Sequence, residues 1–316
     1  MNILITGGAG YLGRILSEGL LDIGHEVIIF DNLLYGQEPQ QNVHFYKSSI
    51  ENLSSLIDAS RECDAVIALA AIVGDGACNV DIKRTFNTNI KGSENTLLAC
   101  EINKIPKMIF ASTCSVYGCG SKKLTEDSPT NPLSIYAHSR LDSENKLLDM
   151  NKDIDLTILR FGTLYGLSPR MRFDLVVNTM TGSAMMDNKI FLNGGNQWRP
   201  FTHVKDASAA IIKALTSKNL PPILNVVSEN MKIKKVADIV KSKVPDAQTE
   251  NTKNLIGGDG RDYNVSGKLF EKYGFKPKYK VSDGVDEIIK SIDEFGHWTE
   301  DKYSNVKWLL KNGMTL

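Results

Sequence analysis

Short apolar runs recur at even intervals through the first two hundred residues, at 2–6, 26–30, 43–47, 65–70, 108–112 and 156–161. Unbroken apolar runs of this length fit strands buried on both faces, and the longer amphipathic stretches between them fit helices. Strands alternating with helices predict an α/β fold, a doubly wound parallel sheet. Between the fourth and fifth runs, residues 81–103 place Ile82, Phe86, Ile90, Leu97 and Leu98 at helical spacing, which predicts one long crossover helix. A second helical pattern starts after Pro132 and Ser134 and runs to 150.

The rhythm breaks after Gly166. A helix is expected over 173–186, followed by the glycine-rich loop Asn193-Gly-Gly-Asn196, while the strand-like run 223–227 is expected to return to the main sheet. Short helices and turns dominate from Asn230, ending in an amphipathic tail at 301–310. The expected organisation is a nucleotide-binding domain of residues 1–166, rejoined by 200–228, with 167–199 and 229–316 forming a smaller, C-terminal substrate-binding lobe.

Composition narrows the class. With 316 residues, 42% of them hydrophobic, the chain can bury one large core and an appended lobe. Its 37 basic and 37 acidic residues cancel, which gives no support to a nucleic-acid or anionic-membrane partner. No apolar run approaches the ~20 residues of a spanning helix, and the first strand leads straight into a glycine loop, so a soluble, unprocessed protein is expected. The five cysteines have no metal-type spacing. They suit a reducing cytoplasm, and no metal is expected.

The glycine loop, Thr6-Gly-Gly-Ala-Gly-Tyr-Leu-Gly13, follows the first strand and opens a helix. In that context Gly7 permits a tight turn, Gly10 lets backbone approach a pyrophosphate, and Gly13 allows helix and strand to pack closely. The second strand ends at Asp31, whose carboxylate can accept both ribose hydroxyls of adenosine and would repel a 2'-phosphate. Residues 32–35 offer no Arg or Lys to pair such a phosphate, so NAD is expected rather than NADP.

Tyr136 and Arg140 stand four apart on one helix face. A phenol ionises near pH 10, so as a base near neutrality it needs a neighbouring cation. Arg140 can depress that pKa and hold the ribose hydroxyls of a nicotinamide nucleotide, with a planar head where a lysine is more usual. Upstream, Ser112 and Thr113 fall at the carboxyl end of a predicted strand, the edge where open sheets place their ligands. His138 and His203 are expected to be structural.

With these elements in place, the chain resembles the extended short-chain dehydrogenase/reductase family, in its nucleotide-sugar epimerase/dehydratase branch, members like UDP-glucose 4-epimerase included. Beyond the loop and Tyr136, the resemblance is carried by Leu69-Ala-Ala71, Asn87-Thr-Asn-Ile-Lys-Gly92, Arg160-Phe-Gly-Thr-Leu-Tyr-Gly166, Arg199-Pro-Phe-Thr-His-Val-Lys-Asp206 and Arg261-Asp-Tyr-Asn-Val-Ser266. It implies a Rossmann fold, Tyr136 as acid/base, Thr113 as the hydroxyl that helps activate the sugar, and Arg140 in place of the family lysine. It also implies cofactor contacts from Tyr11, Leu12, Asn32, Ile50, Leu69, Ala70, Ala71, Asn89 and Ser112.

The substrate implied is a nucleotide-diphosphate sugar, held by Thr113, Thr163, Asn178, Arg199 and Arg261 and assisted by Arg170 and Arg172, since guanidinium forks bind phosphates bidentately. Two long helices, 81–103 and 134–150, imply a homodimer. The chain departs from the pattern at Arg140 and at Ala68, where many members have histidine. Cys114-Ser115 replaces the Asp-Glu pair that 4,6-dehydratases use, which argues against that reaction. Three activities remain open: a 4-epimerase; a dehydrogenase or ketoreductase for a deoxy- or heptose sugar; and a dinucleotide-binding protein with weakened catalysis.

Overall fold

The first strand, β1 (Asn2–Thr6), is buried from Ile3 onward and the fourth, β4 (Ala65–Ala68), throughout, as expected of apolar runs covered on both faces. They occupy the centre of a seven-stranded sheet. The computed structural model describes residues 1–38, 40, 41, 43–252 and 260–313. After β1 come α1 (Tyr11–Asp22), β2 (Glu26–Asp31), β3 (His44–Lys47), α2 (Leu53–Ser60), β4, α3 (Asp75–Val80), α4 (Ile82–Phe86), α5 (Gly92–Ile102) and β5 (Lys107–Thr113). Then follow β6 (Cys119–Leu124), α6 (Ile135–Met150), β7 (Asp155–Phe161), β8 (Thr163–Tyr165), α7 (Val176–Asp187), β9 (Lys189–Leu192), β10 (Trp198–His203), α8 (Val204–Thr216) and β11 (Ile223–Val226). The chain continues through β12 (Glu229–Lys232), α9 (Ile233–Lys243), β13 (Gln248–Asn251), β14 (Asp262–Val265), α10 (Lys268–Lys272), α11 (Val281–Lys290) and α12 (Asn305–Lys311).

The large sheet runs β11-β7-β5-β4-β1-β2-β3 and every pairing in it is parallel. Strand order reverses between β1 and β4. Ligands of open α/β sheets bind outside the carboxyl ends of the strands at such a switch point. Helices cover both faces over two apolar cores, one including Ile3, Leu16 and Ile211, the other Leu4, Leu56 and Leu97. The expected return to the sheet is β11, which extends it beyond β7.

The remaining strands form small sheets: β12-β10-β8, β13-β9 and β14-β6. Around them a third core gathers Val177, Ile190, Phe201, Val236 and Val285.

Three boundaries differ from the sequence reading. The expected single helix over 81–103 is α4, a π-helical turn at Asn87–Lys91, and α5. Leu97 is buried as expected, but the inward face also carries the polar Thr85, Asn89, Ser93 and Thr96, whereas Ile82 is exposed. The widened turn coincides with the inward Asn89, whose carbonyl accepts the Ser143 hydroxyl at 2.8 Å. The helix expected from 173 begins at Val176, because Phe173 is held outside it by a bond from its N–H to the Tyr303 carbonyl, 3.0 Å. The tail breaks at Ser304, which caps α12 after a 3₁₀ turn at Asp301–Tyr303.

Candidate functional site

A cavity of about 530 Å³ opens at the switch point and continues beneath β8, α7 and the 193–197 loop. Its floor is the glycine loop. Gly7 has φ +73°, and a Cβ there would lie 2.6 Å from the Ala70 nitrogen; one on Gly13 would lie 2.5 Å from the Gly8 carbonyl oxygen. Gly10 caps α1 with no side chain in the way, so the helix opens toward the cavity with bare N–H groups and its positive dipole end.

Asp31 ends β2 and is buried, with Oδ2 accepting from the Ala9 N–H (3.1 Å) and Oδ1 from the Leu33 N–H (2.8 Å). Burial raises its pKa, and the two N–H groups pull it part of the way back. Arg14 turns to the Glu38 carbonyl. Gly7, Gly10, Tyr11, Leu12, Gly13, Asp31, Asn32, Ile50, Leu69, Ala70, Ala71 and Ser112 all line the cavity.

Asn89, expected among the cofactor contacts, does not line it. Its amide is buried and committed to protein: Oδ1 accepts from the Ile72 N–H (2.8 Å), while Nδ2 donates to the Ile72 carbonyl (3.0 Å) and the Ser139 hydroxyl (2.9 Å). It fixes the loop after β4 from behind. Asn178, expected at the substrate, also lies off the cavity lining. Oδ1 accepts from the Gly166 N–H (3.0 Å) and Nδ2 donates to the Arg172 carbonyl (2.9 Å), so this buried amide shapes the wall without forming it.

Ser134 caps α6 by accepting from the Ala137 N–H, which aims Tyr136 and Arg140 at the carboxyl end of β5. Tyr136 and Thr113 line the same cavity. Burial raises the Tyr136 pKa; the Arg140 charge and the Thr113 hydroxyl lower it only in part, so the expected net depression is not what the site shows. Arg140 is 2% exposed. One guanidinium nitrogen donates to the Ala111 carbonyl, the head lies 4.2 Å from the Phe110 ring centre, and Nη1 has no partner among the described residues. Burial lowers its pKa, opposed by Tyr136 and Glu144.

Glu144, one turn further along α6, takes the Ser112 hydroxyl and clasps Arg160 of β7 through bonds of 2.6 and 3.1 Å. Arg160 also donates to the Tyr117 hydroxyl at 2.9 Å.

Across the cavity, Arg199 donates to the Trp198 carbonyl (2.8 Å) and the Arg261 carbonyl, and its head lies 5.6 Å from the Tyr263 ring centre. Arg261 pairs with Asp75 at 3.0 Å. Arg170 lies 5.0 Å from the centre of the Tyr35 ring and donates to Asn305 Oδ1 at 2.8 Å. Burial, reinforced by Arg172, lowers its pKa to about 10. Arg172 clasps Asp174 at 2.8 and 3.1 Å. Thr163 lines the same cavity, so the two arginine pairs and Thr163 are brought together. The loop after β2 puts Arg170 beside the Asp31 end.

His203 is wholly buried, with Nε2 2.7 Å from Glu287, and His138 is exposed. The sequence reading missed Asp75, Tyr35 and Asn305, which also line the cavity. Among the described residues no group of three or more His, Cys, Asp or Glu could hold a metal ion, and no helix is long and apolar enough to cross a membrane.

An all-parallel sheet, a glycine cradle closed by Ala70, an acidic residue ending β2 and a Tyr on α6 facing β5 define a dinucleotide-binding enzyme of the extended short-chain dehydrogenase/reductase kind. The chain belongs to the NAD dependent epimerase/dehydratase family, whose family model matches residues 3–226, and its cofactor is NAD. It is 34% identical to the UDP-N-acetyl-alpha-D-glucosaminuronate decarboxylase of Bacillus cytotoxicus, over 72% of this chain and 75% of that one. It is 28% identical to Protein CapI of Staphylococcus aureus, over 92% and 97%. Among solved structures, the Thermus thermophilus UDP-glucose 4-epimerase complex with NAD superposes with a TM-score of 0.83 at 26% identity, covering 93% of this chain and 99% of that one.

Proposed function

We propose that the protein is a nucleotide-sugar 4-epimerase. The observation that carries the reading is the meeting of Tyr136, Thr113 and Arg140 on one wall of the cavity, where the Thr113 hydroxyl and the Arg140 charge both favour the ionised phenol. Tyr136 takes the proton of the sugar C4 hydroxyl, Thr113 orients that hydroxyl, and Arg140 stabilises the phenolate. When bound, NAD would supply the hydride acceptor that this chemistry needs. Gly7, Gly10 and Gly13 admit its pyrophosphate, Asp31 receives its ribose hydroxyls, and the open nitrogen of Arg140 supplies a donor for the second ribose. Arg199 and Arg261 take the diphosphate of the substrate. Cys114 and Ser115, in place of an acid pair, favour epimerisation over water loss.

The nucleotide half comprises 1–166 and 200–228, and the remainder holds the sugar nucleotide. A homodimer is part of the same proposal: Ile82 and Ile102 before and after the π turn, and Leu148 on α6, are exposed on the two helices expected to pair. Light scattering behind size exclusion tests it, a monomer mass rejecting it.

The activity is tested by incubating the NAD-loaded protein with UDP-, GDP-, CDP- and dTDP-sugars at 340 nm. A new stereoisomer with no lasting absorbance supports the 4-epimerase; a persistent stoichiometric rise shows a dehydrogenase instead. A second reading, a weakened catalyst that binds dinucleotide, is favoured by the hold of Ala111 and Phe110 on Arg140. Silence across the panel with NAD retained supports it.

A further inference from the structure

Asp75 opens α3 and lines the cavity on the wall that carries Tyr136 and Thr113. One carboxylate oxygen, Oδ2, lies 3.0 Å from Nη2 of Arg261. The other, Oδ1, is closed off from solvent and has no hydrogen-bond partner among the described residues. A carboxylate oxygen held that way is unfavourable until a donor completes it.

The other two carboxylates on the cavity wall are already committed. Asp31 accepts from the Ala9 and Leu33 N–H groups at the far end. Asp174 is clasped by Arg172, and its Oδ2 also accepts from the Asn305 N–H at 2.9 Å. Asp75 is placed differently as well. Nη1 of Arg261 donates to Ser115 Oγ at 3.3 Å, and the Ser115 N–H donates to Thr113 Oγ1 at 3.1 Å. The carboxylate is thus linked through the Arg261 guanidinium and Ser115 to the Thr113 hydroxyl, which lines the cavity with Tyr136. Its charge also reaches the Tyr136 phenol, where it favours the neutral form.

We propose that Asp75 holds a hydroxyl of the substrate sugar, beside the carbon served by Tyr136 and Thr113. The proposal rests on the reading of a nucleotide sugar as substrate. The Asp75 side chain is 35% exposed on the cavity wall, so a sugar hydroxyl can reach and satisfy its carboxylate while Arg261 remains between it and the diphosphate. Carboxylate, guanidinium and phosphates then alternate in charge along the cavity. That row fixes the distance from the phosphates to the gripped hydroxyl, and so determines which ring carbon faces the phenol. Asp75 is a specificity residue, placed to choose among sugars on one nucleotide.

The test is calorimetric binding to the NAD-loaded wild type and to Asp75→Ala and Asp75→Asn. The probes are UDP, GDP, CDP and dTDP, the corresponding glucose conjugates, and the 2-, 3- and 6-deoxy forms of the conjugate that binds. Asp75→Ala is expected to bind the free diphosphate as tightly as wild type or more tightly, since Arg261 is released, and to bind the glucose conjugate about tenfold to a hundredfold more weakly. One deoxy analogue should weaken wild type by a similar factor and leave the variant unmoved, the signature of a shared contact.

Equal losses for diphosphate and conjugate in both variants overturn the proposal in favour of a structural role. Unchanged conjugate binding, or additive losses for every deoxy analogue, overturns it alone. Failure of wild type to bind any diphosphate or conjugate rejects the substrate reading and the proposal together.

Discussion

Arg140 and Phe110 are stacked, the guanidinium carbon 4.2 Å from the ring centre, so the charge behind the Tyr136 phenol is anchored to β5. A planar cation lying on an aromatic face and bonded to the Ala111 carbonyl has little freedom to follow the phenol. Its effect on Tyr136 is electrostatic, lowering a pKa that burial raises. Replacing it by a neutral side chain of similar length, Arg140→Met, is expected to push the phenol higher still. The acidic limb of kcat/KM against pH should move to higher pH, with a loss near neutrality on the order of a hundredfold. An unmoved limb would show that Tyr136 is not the titrating base.

Glu144 and Arg160 form a buried pair between α6 and β7, their side chains 1% and 4% exposed. Removing one partner strands the other charge in the interior. Glu144→Gln is expected to cost about 3–5 kcal/mol in urea unfolding, and the double variant with Arg160→Met to recover part of that loss.

The C-terminal helix reaches back to the cofactor end of the cavity. Trp308 Nε1 donates to the Leu34 carbonyl at 3.0 Å, and its ring lies over Gly36, φ +67°, where a Cβ would come within 2.2 Å. Leu34 and Tyr35 line the cavity, so Trp308 braces one rim of it. Trp308→Ala and Gly36→Val are both expected to weaken NAD retention about tenfold or more, read as dinucleotide released on denaturing the purified protein.

Glu287 is held by His203 (2.7 Å), Lys205 (2.8 Å) and the Leu167 N–H (2.8 Å). These bonds outweigh the opposing effect of burial and bring its pKa down from 4.5 to about 2. A carboxyl depressed in the folded state stabilises the fold above its ordinary pKa and loses that contribution as pH falls toward the depressed value. Stability measured by urea at a series of pH values should therefore fall between about 4.5 and 2 in wild type. Glu287→Gln should be less stable at neutral pH and flatter across that window.

The large sheet, the glycine cradle, Asp31 and the Tyr136 helix were legible because each is written in a short local run whose chemistry has few other uses. Asn89 and Asn178, expected at the ligands, bond instead to neighbouring protein groups, and nothing local in the sequence signals this. A buried amide that satisfies loop backbone and one that faces a ligand carry the same letter, and only tertiary placement tells them apart. Asp75 and Asn305 meet the cavity from positions far apart in sequence, with no spacing to connect them. The pairing of β6 with β14 was invisible in Cys119–Leu124, a largely polar run whose partner lies more than a hundred residues on. The π turn had a faint trace: Ile82, Phe86 and Ile90 repeat every four residues, slightly longer than the α-helical period.

The strand β11 closes the sheet only after the chain has left it and come back, lying against β7 from Ile223 to Val226. A fragment ending at residue 166 would therefore expose β7 as a raw edge, open to pairing with a second fragment, and would lack α8, whose Ala207, Ile211 and Ala214 belong to the main core. The protein cannot be divided like beads on a string. New substrate preferences must be reached by altering individual residues around the cavity, because exchanging one contiguous half would unravel the other.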